Sequence, residues 1–485
     1  MKKSKLPSFL LSPVLWIGAF SAFTAVSWVQ RLPGLPILAG GLGALITLGA
    51  IWGIQRKLTT ERICFLIGCG AFLLHTAYIL YTNHLTRQHD VNFLGRGDGH
   101  TGYMEAILQN GMRLPDEDPR NRWQFYHPPL HHWLSALWVK FQIRLGVEYE
   151  QAFEGVQSLT LYWSGLSIVI FYKLLRELNF RDEALWIPFG VFSFHPAYVL
   201  LSGSINNDML CMTLMLLSIW LAIRWFRQPR YDRILLLSAA IGFSMLAKTS
   251  GVLTAPAIAF LFLWKLWEQR KKPLRLIAQY AAFVVLCLPV GLSWSLYCLI
   301  RYGIPLGYVA AIDPGSIQDI SWVPLYGRLL LADPSHWQSF FFCWNYPTEY
   351  CIPLAILKTS VFDEYALAEQ GTTGYILAAV LFHINALWAA GSMVLGGLTA
   401  FRHRKSPYTW FFILFWATVL GAFIFFCFDH PQTCTMSIRY FVPCIWAGLI
   451  GTAVFLRDCK RVWRATLALS AGLFAIFSLL VYMKL

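Results

Sequence analysis

Apolar residues in this chain come in long blocks separated by short polar turns. Thirteen such blocks fall near residues 9–29, 35–54, 63–82, 157–175, 184–203, 207–226, 233–249, 250–267, 276–299, 373–400, 408–428, 438–456 and 464–483. About 20 apolar residues suffice for a helix to cross a bilayer. Backbone groups in hydrocarbon must pair internally, so these blocks predict helices and no open sheet. The expected fold is an all-α polytopic membrane protein, one integral membrane domain over 1–485 with about 13 transmembrane helices. Two stretches break the pattern, 83–156 and 300–372, both rich in Trp, Tyr, Pro, His and acids. Loops beyond about 15 residues are usually functional or disordered, and their aromatic content argues against disorder. In the first, His100, Tyr103, Met104, Ile107 and Leu108 recur at helical spacing, predicting a short interfacial helix ended by Gly111 and Pro115. Residues 130–145 predict a second, opening after Pro128-Pro129.

Charge orients these helices. With Met1 inside, the expected inner loops are 1–8, 55–62, 173–183, 224–233, 265–275, 401–407 and 457–464. They hold 25 Lys and Arg against 7 Asp and Glu, while the rest of the chain holds 14 against 18. That is the positive-inside pattern, so both long loops are expected outside, on a plasma (cytoplasmic) membrane if the source is bacterial. The net charge of +14 is therefore a topology signal. Split among short loops, it suggests membrane lipid as a neighbour and no nucleic acid. Met1-Lys2-Lys3-Ser4-Lys5 resembles the start of a signal peptide, but no small-residue cleavage site follows, so the run is expected to be the first span. Eleven cysteines show no CxxC spacing; Cys343, Cys351 and Cys434 fall in expected outer loops, where a disulfide could form.

Candidate chemistry gathers on the same side. Eight of twelve histidines lie there: His84, His89, His100, His127, His131, His132, His336 and His430. The topology brings Asp90, Asp98, His100, Asp208, Lys248 and Arg439 to one membrane level. Ionisable residues at span ends beside a cavity are functional candidates. Each also has a plainer reading: a solvated loop acid, an interfacial histidine, or a cation snorkelling to the headgroups. Asp116-Glu117-Asp118 reads as a solvated turn, and Gly40-Gly41-Leu42-Gly43 as helix packing. His89, Asp90 and His100 match no standard zinc spacing. No GxxxxGK[ST] loop and no strand–GxGxxG–helix unit is present, so a donor substrate is expected to arrive through the membrane.

The stretch Gly97-Asp98-Gly99-His100-Thr101-Gly102-Tyr103-Met104-Glu105, then Leu114-Pro115, then Gln124-Phe125-Tyr126-His127-Pro128-Pro129-Leu130, resembles the first outer loop of bacterial dolichyl-phosphate-mannose–protein mannosyltransferase-like (aminoarabinose transferase-like) enzymes. These belong to the C-type, lipid-carrier-dependent glycosyltransferases. Asn206-Asn207-Asp208, Lys248-Thr249-Ser250-Gly251, Leu357-Lys358-Thr359-Ser360 and Arg439-Tyr440-Phe441-Val442-Pro443 resemble the same family, in order, over roughly 63–450. The resemblance implies a C-type fold with interfacial helices roofing a cavity at the outer face. It implies a polyprenyl-phosphate-linked sugar as donor and a hexosyltransferase activity. It also implies an aspartate of the first outer loop as catalytic base. In many relatives that acid stands in an Asp-Glu pair. Here the candidates are Asp90, in Gln88-His89-Asp90, and Asp98; Asp90 is slightly favoured.

The chemistry agrees. A carboxylate would take the acceptor hydroxyl proton, and cations would hold the departing phosphate. The substrate-binding candidates are His100, His127, Asp208, Lys248, Lys358, Arg439 and Tyr440. A single displacement would invert the anomeric centre. No cofactor is certain; a divalent cation, Mg or Mn, is an open expectation. The acceptor, whether protein, lipid or glycan, is not legible. Two other readings stay open: a polymerase or ligase using diphosphate-linked saccharides, and a transporter or flippase.

Overall fold

The computed structural model describes residues 12–29, 33–310, 315–330, 337, 339–342 and 349–483. His336 and Cys343 lie outside them, as does the expected inner loop 1–8. Every expected span holds a helix. The chain opens with α1 (Pro13–Val29), α2 (Gly34–Ile54) and α3 (Thr60–Tyr81). The first long loop carries α4 (Gly99–Gln109), α5 (Leu130–Arg144) and α6 (Tyr149–Glu154). Then follow α7 (Val156–Glu177), α8 (Glu183–Ser193), α9 (Pro196–Ser202), α10 (Asp208–Arg227), α11 (Tyr231–Ala247), α12 (Ala255–Glu268) and α13 (Leu274–Tyr302). The second long loop carries α14 (Leu325–Leu329) and α15 (Ile352–Phe362), before α16 (Thr373–Arg402), α17 (Pro407–Asp429), α18 (Pro443–Asp458) and α19 (Arg461–Tyr482). Among the described residues, nine helices are long and apolar enough to cross a membrane, or ten with the bent α8–α9 pair. The other three expected spans are the shorter helices α1, α11 and α18, of 17, 17 and 16 residues.

Local chemistry explains the departures from the expected boundaries. The expected span 184–203 is bent by 48° between α8 and α9. Pro196 has no N–H to continue the ladder, and His195 Nδ1 instead accepts from Ala197 N at 3.2 Å, starting a new helix. The expected span 438–456 starts late: residues 438–440 form a 3-10 turn, and α18 begins at Pro443, whose fixed φ suits a first helical position. Gly303, at φ +67°, ends α13 in the left-handed conformation that glycine adopts without strain.

Burial sorts the helices. The apolar window of α10 is 78% buried and that of α2 is 6% buried, so α10 is the centre of the bundle and α2 faces lipid. The main core joins α3, α7 to α13 and α15 to α19. Both long loops meet at one end of this bundle, here termed the loop face. Cys351 and Cys434 are free thiols.

Candidate active site

The first loop is folded so as to fix Asp90. Arg87 and Asp90 both adopt left-handed backbone conformations, φ +54° and +58°, which non-glycine residues rarely visit. Between them Gln88 grips the chain after α9: its Nε2 donates to Gly203 O at 2.8 Å, and its Oε1 accepts from Ile205 N at 3.0 Å. The Asp90 carbonyl accepts from His100 N at 2.9 Å, bringing the first turn of α4 over the loop. That approach requires Gly99, where a Cβ would stand 2.8 Å from the Asp90 carbonyl oxygen at φ +72°. The carboxylate that results is half-buried. Its Oδ1 accepts from Trp123 Nε1 and its Oδ2 from Arg439 Nη1, each at 3.4 Å.

Arg439 is buried, on the turn before α18, and is therefore a fixed cation. Its guanidinium lies 4.7 Å from the Tyr440 ring centroid, and Lys248 Nζ lies 4.9 Å from the same centroid. The ring's negative face tolerates two nearby cations. Lys248 ends α11 and pairs with Asp208 at the start of α10; both side chains are largely buried. Asn206 Oδ1 accepts from Asp208 N at 3.0 Å, and Asn207 Nδ2 donates to Ala247 O at 3.1 Å, which locks the two turns together. Arg439 Nε and Asp208 Oδ2 are buried without a partner among the described residues. An unmet buried polar group costs about 1–3 kcal/mol, so both atoms are suited to a polar ligand.

Three buried histidines, His100, His131 and His132, and the half-buried His127 back this cluster. His100 stacks on His127 at 5.7 Å and on His132 at 5.1 Å, with a 2.8 Å bond between His100 Nδ1 and His132 Nε2. His131 Nε2 donates to Ile205 O at 2.9 Å, a second hold on the chain that Gln88 grips. Burial, then mutual repulsion and the nearby Lys248 and Arg439, hold His100 well below the usual histidine range. Burial first and neighbouring positive groups second do the same to His127 and His132. His131 is pushed down to about 4, chiefly by burial. At neutral pH these rings form an uncharged wall.

The second loop adds residues that sequence reasoning missed. Asp363 and Glu364 follow α15 directly and meet His89: His89 Nε2 to Asp363 Oδ2 is 2.7 Å, and His89 Nδ1 to Glu364 Oε2 is 3.9 Å. Burial pushes Glu364 up to about 7, with neighbouring His89 opposing and Asp363 reinforcing the shift. His89 is opposed by burial but raised overall by Asp363 and Glu364. One ligand atom from each of the three lies within 4.8 Å of the others, and Glu364 Oε1 is buried without a partner. An imidazole with two carboxylates fits a divalent cation, and the nitrogen ligand suits Mn better than Mg. An Asp-Glu pair thus stands at the site, contributed by the second loop. Its only sequence signal was two adjacent acids at the end of an apolar stretch.

The other candidates lie apart. Asp98 Oδ1 accepts from Asn92 Nδ2 at 2.5 Å and meets no cation among the described residues. Lys358 is buried in a 2.7 Å ion pair with Glu349, and its neighbour Thr359 Oγ1 accepts from Ile438 N at 2.9 Å. The Leu357-Lys358-Thr359-Ser360 segment therefore supports the turn that presents Arg439.

The fold defines a polytopic all-α membrane protein whose buried ionisable groups collect where two long loops meet. Residues 154–303 match the model of the family described as dolichyl-phosphate-mannose-protein mannosyltransferase, which bears out the resemblance read from the sequence. The matched segment includes Asp208 and Lys248; Asp90 and Arg439 flank it. No curated protein matches the chain in sequence. Among solved structures, the chain is similar to the archaeal oligosaccharyltransferase AglB from Archaeoglobus fulgidus in complex with an inhibitory peptide and a dolichol-phosphate. Identity there is 14%, TM-score 0.49, over 87% of this chain and 55% of that one. It is also similar to ArnT from Cupriavidus metallidurans in the apo state, at 13% identity and TM-score 0.39, over 85% and 76%. The chain therefore spans about half the length of the archaeal enzyme.

Proposed function

We propose that this protein transfers a sugar from a polyprenyl-phosphate carrier to an acceptor hydroxyl, at the outer face of the membrane and with inversion. The observation that carries the reading is Asp90, a half-buried carboxylate 3.4 Å from a buried arginine and beside the Lys248–Asp208 pair. The family match over 154–303 supports it. Asp90 accepts the proton of the acceptor hydroxyl as that oxygen attacks the anomeric carbon. The bond from that carbon to the phosphate oxygen breaks, and the carrier phosphate leaves. Arg439 and Lys248 hold the developing charge, Arg439 with a guanidinium fork suited to phosphate. Arg439 Nε is buried without a partner among the described residues, so an arriving phosphate gains a donor there while Asp208 stays paired with Lys248. His100 and His127 form an uncharged wall beside the site, and Asp208 and Tyr440 keep the two cations in place. His89, Asp363 and Glu364 would hold a divalent cation, which would supply charge neutralisation next to Asp90.

The test is transfer in proteoliposomes offered labelled polyprenyl-monophosphate sugars and polyprenyl-diphosphate saccharides in parallel. Product from the monophosphate donors, with inverted anomeric configuration, is expected. Product from the diphosphate donors alone would make the protein a polymerase or ligase. Movement of label across the membrane without transfer would make it a flippase.

A further inference from the structure

The opposite end of the bundle carries a second concentration of charge that the transfer reaction does not use. The end of α16 and the turn after it, residues 401–406, border an open recess of about 590 Å³ lined by Phe401, Arg402, His403, Arg404, Lys405 and Ser406. The turn between α18 and α19 lies against it, joined by His403 Nε2 to Asp458 Oδ2 at 3.0 Å. That second turn contributes Arg457, Lys460 and Arg461, all exposed, as are Arg402, Arg404 and Lys405. The two turns thus hold six exposed cations, and the acid between them, Asp458, is already engaged by Arg457 at 3.0 Å. Large apolar side chains border the basic patch: Phe401 is 72% exposed, Val462 73% and Trp463 55%. Arg404 is fixed over Phe401 at 5.1 Å, and its carbonyl accepts from Trp410 Nε1 at 2.8 Å.

We propose that this recess binds the headgroup of an anionic phospholipid carrying two phosphates, with its acyl chains along the exposed ends of α16 and α19. Charge complementarity names the headgroup: basic recesses between membrane helices attract multiply charged lipid phosphates. The apolar border names the source as lipid, since a free phosphate has no use for exposed Phe401, Val462 and Trp463. Where the basic turn between α10 and α11 meets the end of α7, Glu177 engages Arg224 and Arg227. Here, among the described residues, no carboxylate engages Arg402, Arg404 or Lys405, and these three line an open recess beside a second basic turn, which is what distinguishes a site from diffuse surface charge.

The experiment uses the full chain in phosphatidylcholine nanodiscs, titrated with a diphosphatidylglycerol lipid, with phosphatidylglycerol and with inorganic pyrophosphate. Binding is read by native mass spectrometry and by the shift in melting temperature. The diphosphate lipid is expected to bind best. An R402Q/R404Q/K405Q triple variant is expected to lose roughly tenfold or more of that affinity, because three headgroup-facing cations are removed together. An R270Q/K271Q/K272Q variant, with the same charge loss elsewhere, is expected to change it by less than about twofold. R457Q/K460Q/R461Q, expected to mimic the first variant, keeps the test decisive if that one fails to fold. Equal losses in the control variant, or pyrophosphate binding as tightly as the lipid, would overturn the proposal.

Discussion

The two ends of this bundle are both rich in ionisable residues, and they treat them in opposite ways. At the loop face, Asp90, Asp208, Lys248 and Arg439 come from four separate segments, are largely or partly buried, and are paired acid to cation. At the other end, Arg402, Arg404, Lys405, Arg457, Lys460 and Arg461 are exposed and of one sign. Exposed charge of one sign costs little to hold and acts through its field on lipid. Buried charge is expensive and persists only where geometry supplies partners. The count of charge thus reads topology, while its burial points to chemistry.

Four outcomes sharpen or break this contrast. The largest concerns Arg439. R439M is expected to lower the transfer rate by roughly 100-fold or more, the scale of losing one preorganised group that stabilises transition-state charge. R404M at the other end is expected to change transfer less than about twofold. Equal effects on initial rates would erase the distinction. Next, Lys248→Met leaves Asp208 buried and unpaired. That is expected to cost about 3–5 kcal/mol of stability, visible as a lower melting temperature, and the double change with Asp208→Leu is expected to recover most of it. Third, if a cation serves the site, Glu364→Gln is expected to weaken Mn binding about tenfold or more, by analogy with the loss of shell groups around metals. Mn electron paramagnetic resonance of the purified protein measures it, and unchanged binding would remove these ligands. The smallest effect is acid sensitivity. His100, His127 and His132 have folded pKa values below the unfolded value near 6.5. Stability is therefore complete above about pH 6.5 and falls as pH drops, because only the unfolded chain takes up protons there; the slope is up to about 1.4 kcal/mol per pH unit per histidine. Melting temperatures from pH 7 to pH 5 should decline, and less steeply in His132→Gln.

Much of the fold was legible because apolar length and charge asymmetry are properties of single segments. The thirteen apolar blocks each contain a helix, and α4 and α5 occupy the stretches whose spacing suggested them. The bend at His195-Pro196 was missed because an uninterrupted apolar block hides a local capping change. The late start of α18 was missed for a similar reason: Ile438-Arg439-Tyr440 continues the apolar pattern while its backbone forms a separate turn. The candidate site was legible residue by residue but not as pairs. Sequence brought Asp90 and Arg439 to one membrane level, yet their separation of 349 positions concealed the contact. His89 and Asp363, 274 positions apart, met no sequence rule at all. Lys358 shows the reverse: it resembled a binding residue and sits in a buried pair with Glu349. Such partners are set by tertiary packing, which spacing along one segment does not encode.

The most direct test compares Asp90→Asn with Asp98→Asn for sugar transfer from polyprenyl-phosphate donors in proteoliposomes, each variant matched to the parent in melting temperature. The account predicts that Asp90→Asn loses activity by roughly 100-fold to 10,000-fold, the range for a general base, while Asp98→Asn keeps most of it. Full activity in Asp90→Asn, or loss confined to Asp98→Asn, would contradict it.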